Sequence, residues 1–170
     1  MTATDHGLQW DLESSGDALV GACECEAPSM TFRDELVRIA LAWQDAYGIA
    51  PSITSAVSEY DAAVTLLGMS EKEYGASMKL ATAVGRGFDF QFKGERFQIK
   101  ANRPSGKPGS AVTLVPKVRN YDWDQLIWIL YNRDYEIQEA WKWPREAYQR
   151  EMHRLPRISP SHMRRGLPLY

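Results

Sequence analysis

From residue 32 onward the apolar positions recur at helical spacing. Phe32, Leu36, Ile39, Ala40 and Trp43 share one stripe, which predicts an amphipathic helix with that stripe turned to a core. Ser29 or Thr31 can cap its start, and Gly48, after Tyr47, can stop it. Pro51 and Ser52 open a second helix, where Ile53, Val57, Tyr60, Val64 and Leu67 follow a 4-3-4-3 spacing and Gly68 closes the pattern. Ser70 and Glu73 have the Ser-x-x-Glu spacing of a capping box, which starts a third helix running to about Ala83. Gly85 and Gly87 break it.

The period then changes to two. Phe88, Phe90 and Phe92 alternate with Asp89 and Gln91, and beyond Lys93-Gly94, Phe97 and Ile99 alternate with Arg96, Gln98 and Lys100. Two alternating runs around a short Gly-containing turn predict a β-hairpin. With Lys93-Gly94 as a two-residue turn, Phe92 pairs with Glu95 and Asp89 falls opposite Gln98. Lys100 then lies two residues along on the same face, and the Phe and Ile side chains bury the other.

Pro104–Ser110 reads as a loop, with a strand to follow near Val112–Val115. The unbroken apolar run Gln125–Tyr131 (QLIWILY) suits a strand covered on both faces. Asn132–Asp134 turns the chain, Tyr135–Trp143 returns as a strand, and Pro144 suits the first turn of a helix to about Met152. Pro156, Pro160 and Pro168 make the remainder irregular, with a short turn at Ser161–Arg165. The expected fold is α/β or α+β, with a mixed central sheet flanked by helices. The expected division is an acidic, loosely docked segment over 1–28, a single domain over 29–152 and a basic tail over 153–170. Leu8, Trp10 and Leu12 could anchor the first segment.

Charge adds a further distinction. The 170-residue chain carries a net −2, but its first 30 residues hold six acids and no Lys or Arg. The remaining residues therefore sum to +4, and a basic body is compatible with a polyanionic partner. Cys23 and Cys25 are too close for an ordinary disulfide and lack nearby ligands for zinc. With no signal-like start and no apolar run of ~18 residues, the expectation is a cytoplasmic protein without a membrane span. The glycines at 106 and 109, with Lys107, do not follow the spacing of a phosphate-binding loop.

The hairpin carries the candidate chemistry. Phosphodiester hydrolysis needs a neutralised phosphate and an activated water, and a hard cation held by oxygen ligands with open positions supplies both. Asp89 offers a carboxylate and Gln98 an amide oxygen, while Lys100 can orient the water or stabilise developing charge. Of the helix acids, Glu59 is the expected third ligand in preference to Glu35, Glu71 or Glu73, because it flanks the buried stripe one residue from Tyr60. Arg103, Lys107, Lys117 and Arg119 are candidate DNA-phosphate contacts. His153 and His162 lie among arginines and could join them. The tryptophans at 123, 128, 141 and 143 are expected to divide between core and surface.

A helix acid, then Gly-Phe-Asp89-Phe, a hairpin turn and Gln98-Ile-Lys100 resembles the PD-(D/E)xK nuclease superfamily, the restriction-endonuclease-like fold. The Gln-x-Lys form is similar to its Mrr-type branch. The resemblance spans roughly residues 52–148 and implies a Mg²⁺-dependent DNA endonuclease, with Mn²⁺ as an alternative ion, of the restriction or defence kind. It implies metal binding by Glu59, Asp89 and Gln98, with Lys100 as the catalytic lysine. Phe88 stands where the family has Pro, and Gln98 removes one negative charge from the site. Cutting both strands of duplex DNA favours a homodimer by symmetry. The rival readings are a catalytically silent nucleic-acid-binding module of the same fold and a protein-interaction subunit.

Overall fold

The computed structural model describes residues 30–84, 87–105, 107 and 109–170. The readings made for the acidic segment, for Cys23 and Cys25, and for Gly85 lie outside them. Helix α1 (Phe32–Tyr47) starts on Thr31, whose side chain accepts from the Asp34 N–H, and stops at Gly48 in the left-handed region. Helix α2 (Thr54–Tyr60) runs directly into a π-helical stretch, Asp61–Leu66. Helix α3 (Glu71–Val84) carries the reciprocal cap. The Ser70 N–H donates to Glu73 at 3.0 Å, and the Glu73 N–H donates to Ser70 Oγ at 3.3 Å.

Five strands follow in the order β1-β2-β3-β4-β5: β1 (Phe90–Phe92), β2 (Glu95–Asn102), β3 (Gln125–Tyr131), β4 (Ile137–Pro144) and β5 (Leu167–Pro168). Only β2 and β3 are parallel, so the sheet is mixed and the architecture α+β. The β1–β2 turn places Lys93 at φ 49 and Gly94 at φ 83. Two consecutive positive φ values give the turn whose twist matches paired strands, and Gly takes the second without steric cost.

From Leu126 to Tyr131 the residues of β3 face one or other of two cores, as its continuous apolar run requires. Ile127 and Ile129 join Phe90, Phe97, Ile99, Val57, Ala62 and Ala63 on the face covered by α1–α3. Leu126 and Trp128 join Trp123, Trp143, Tyr148, Met152, Ile158 and Met163 on the other. That second face is covered by α4 (Arg145–Met152), α5 (Pro160–Met163) and the β2–β3 crossover. No helix forms among the described residues of this crossover. Where a strand was expected near Val112–Val115, only a single bridge, Val115 to Ile158, forms, because no neighbouring strand lies alongside to extend it. The stretch read as a basic tail packs on the sheet: Ile158 and Met163 are buried, and β5 pairs with β4.

The rotation of α1 differs from the expectation. Val37, Ala40 and Gln44 face inward, whereas Phe32, Ile39, Trp43 and Tyr47 are exposed. The cause is Arg33. Its Nε and an Nη donate to Asp61 at 3.0 and 2.9 Å, and it also donates to the Tyr135 carbonyl at 2.8 Å. Asp61 is buried and accepts a further bond from Tyr131 Oη at 2.7 Å. A buried carboxylate without a cation is far costlier than an exposed apolar side chain, so the ion pair sets the helix phase. No described helix is long and apolar enough to cross a membrane.

Candidate active site

The site forms where the β1–β2 ladder ends. The register is the one the turn dictates, from Phe92 opposite Glu95 to Phe90 opposite Phe97. One residue further out it slips: the Asp89 N–H donates to the Phe97 carbonyl at 2.8 Å, and the strand stops. Asp89 is therefore not a regular cross-strand partner of Gln98, contrary to the sequence expectation. The bend belongs to Gly87, at φ 99, where a Cβ would come within 2.7 Å of the Asp122 carboxylate.

The slip moves the Asp89 carboxylate into the sheet edge. Its Oδ2 accepts the Ile99 N–H at 2.5 Å, taking the role a β1 carbonyl would have had, and accepts the Gln98 amide at 2.5 Å. Strand β2 is thus unpaired on this side from Ile99 onward. Gln98 and Lys100 sit in register with Leu126 and Trp128, so both project to the α4 side of the sheet. Helix α2 packs on the opposite side, with Val57 in the core and Glu59 two residues on. The open edge is where the two sides meet.

A cavity of about 250 Å³ occupies that edge. Glu59, Asp89 and Lys100 line it together with Thr54, Ser55, Ser58, Ile99, Ala101 and Pro116. At ~30 Å³ per water it has room for several waters or a phosphate group. Burial pushes the Glu59 carboxyl up to about 7, and the neighbouring Asp89 charge pushes the same way while Lys100 opposes both. Burial raises the Asp89 carboxyl as well, against the Ile99 and Gln98 hydrogen bonds and the Lys100 charge. No hydrogen bond or ion pair to a described residue holds the Glu59 carboxylate or the Lys100 ammonium. The other helix glutamates are engaged elsewhere: Glu35 with Arg38, Glu71 with the Tyr60 hydroxyl, and Glu73 in the α3 cap.

Two half-buried carboxylates, with the Asp89 charge raising the proton affinity of Glu59, suit a hard cation beside an open main-chain edge. Among the described residues no three His, Cys, Asp or Glu side chains gather to hold a metal. The pair would need completing by neutral oxygens. The Ile99 carbonyl lies on the same edge, 3.4 Å from the Gln98 amide nitrogen. Gln98 is buried and presents its amide nitrogen to Asp89. That contact orients the carboxylate, a role that the amide-oxygen reading had not assigned.

The four expected phosphate contacts separate into two pairs. Arg103 donates to Gln44 and to the Arg133 carbonyl, with its guanidinium 4.4 Å from the Tyr135 ring centroid. Lys117 donates to the carbonyls of His153 and Leu155. Lys107 and Arg119 are exposed. A separate surface depression is lined by Glu146, Gln149, Arg150, His153 and Arg154, so it holds two arginines and one acid. Asp61, two residues after Glu59 at the start of the π-helical stretch, is a buried acid that the sequence reading does not single out; its signal is an acid directly before the apolar run Ala62-Ala63-Val64. No protein-family model matches the chain, and no curated protein matches its sequence.

Proposed function

We propose that this chain is a divalent-metal-dependent nuclease that hydrolyses phosphodiester bonds in double-stranded DNA. The observation that carries the reading is the convergence of Glu59, Asp89 and Lys100 on one cavity at the open end of the hairpin, with Gln98 locked to Asp89. Glu59 and Asp89 are the residues that would hold Mg²⁺ or Mn²⁺, with Gln98 fixing the orientation of Asp89. A divalent cation there supplies Lewis-acid activation of the phosphate and a water of lowered pKa. Lys100, lining the same cavity, would offset the negative charge that develops on the phosphate. Pro116 on the cavity rim leads into Lys117 and Arg119. His153 borders both the depression at Arg119 and the one at Arg150 and Arg154, so the exposed cations continue from the loop after Pro116 onto α4 and suit the backbone of a nucleic acid.

Supercoiled plasmid incubated with the full chain is expected to be nicked or linearised in Mg²⁺ or Mn²⁺ and left intact in EDTA. Asp89→Ala and Lys100→Ala should each lower the rate by at least about 100-fold. Undiminished cutting by both variants would remove the site assignment. Steeply salt-dependent binding with no cutting in either ion would instead make the chain a silent nucleic-acid-binding module.

A further inference from the structure

The most extensive unexplained feature of the surface is the outer side of α1. Phe32 is 94 % exposed, Tyr47 68 %, Trp43 53 %, Ile39 50 % and Leu36 36 %, with Met30 and Ile49 exposed at the two ends. At 100° per residue the five helix positions fall within one stripe about 80° wide. Among the described residues these five side chains join neither core. Weighted by these exposures, with an aromatic side chain offering roughly 150–250 Å², the seven residues present on the order of 800 Å² of largely apolar surface. That exceeds the ~300–600 Å² usual for the largest patch on a monomer. It matches the ~800 Å² that each partner contributes to a standard stable interface.

The order of the residues says what covers it. In an antiparallel pair of identical helices related by a two-fold axis, the two facing positions have residue numbers with a constant sum. Four of the five positions satisfy this about a centre between Ile39 and Ala40. Phe32 then faces Tyr47 of the other copy and Leu36 faces Trp43, while Ile39, next to that centre, lies close to its own counterpart. Ala42 and Ala46 flank the stripe and leave room for the helix axes to approach, while the Glu35–Arg38 ion pair lies at the rim. Asp34 and Asp45, which would repel across such an axis, lie on the far side of the helix, about 180° from the stripe.

We propose that α1 is a homodimer interface, in which two copies of this chain pair antiparallel through Phe32, Leu36, Ile39, Trp43 and Tyr47. The inference rests on the exposure and spacing of α1 and is independent of the nuclease reading. If both hold, the dimer carries two sites related by the two-fold axis.

Sedimentation equilibrium of the full chain at micromolar concentrations is expected to give twice the chain mass. Trp43→Asp should weaken association about 30-fold or more, while its far-UV circular dichroism stays unchanged because Trp43 is outside the core. In a Cys23→Ser, Cys25→Ser background, Ile39→Cys should cross-link to itself on mild oxidation. Deleting residues 1–28 should leave the protein dimeric, at twice the mass of the shortened chain. A monomeric wild-type chain, a dimer that survives Trp43→Asp, or dimerisation that emerges only after residues 1–28 are deleted would each overturn the proposal. The last outcome would show that the chain's own N-terminal segment covers the stripe.

Discussion

Glu59 gives the folded protein a pH-dependent weakness at its candidate site. Its folded-state pKa is raised from 4.5 to about 7, so between these values the folded chain binds the proton more tightly than the unfolded chain does. The stabilisation from this group is complete below pH 4.5 and is lost as the pH rises through 7. Partial exposure screens the effect, leaving roughly 1 kcal/mol. Glu59→Gln should therefore raise the thermal midpoint of metal-free protein at pH 8 by a few degrees and change little at pH 4.5, as scanning calorimetry in EDTA can test. Gln98 acts on the same pair from the other side, since its amide bond to Asp89 favours the ionised carboxylate. A carboxylic acid at position 98 would be a third acid in an already crowded space. The sequence places Gln98 beside Asp89, but which end of the amide faces the acid depends on the slip at Asp89, and no residue pattern encodes that.

At the level of elements, the Arg33–Asp61–Tyr131 cluster joins α1, the π-helical stretch and β3. Asp61 is buried and takes three of the bonds in that cluster, so it fixes the helix that also carries Glu59. Asp61→Asn leaves the Arg33 guanidinium half-buried without its counter-charge and should cost about 3–5 kcal/mol. A double variant with Arg33→Met should recover part of that loss, and urea midpoints of the four proteins form the cycle that measures it. This cluster also explains why α1 is predictable in extent but not in rotation. Its caps at Thr31 and Gly48 are local and can be read from the chain, but its phase is decided by an acid 28 residues away. Hydrophobic periodicity assigns the wrong face because the stripe it finds is real and is left outside. The π-helical turn has the same origin. It brings Asp61, Ala62 and Ala63 inward after Tyr60, while Ile53, Val57, Val64 and Leu67 of the 4-3-4-3 spacing also pack on the core.

For the molecule as a whole, the central sheet was legible because its signals are strong and local. Lys93-Gly94 sets the hairpin register, and the seven residues of β3 can only sit between two covered faces. The covering of the second face was legible only in α4. The rest comes from a crossover without helical pattern and from a proline-rich end that looks like a tail, yet Trp123, Ile158 and Met163 are all buried there. Such segments are ordered by contacts distant in sequence, to which local propensity is blind. The cations follow the same division. Arg103 and Lys117 look like free charges in the sequence and are fastened to carbonyl and amide oxygens by the fold, whereas Arg150 on α4 and Arg154 in the turn after it are exposed.

The Asp89 carboxylate standing in for a strand carbonyl has one more consequence. A single backbone hydrogen, that of Ile99, is bound to an atom whose charge changes with protonation and with any cation it meets. Its ¹⁵N–¹H resonance should move with pH alongside the carboxyl group and jump when Mg²⁺ is added, while the neighbouring β3 amides stay still. The sheet thus contains its own occupancy gauge, readable by magnetic resonance without DNA, turnover or label chemistry, and a silent Ile99 signal on adding the ion would mean that the carboxylate never meets it.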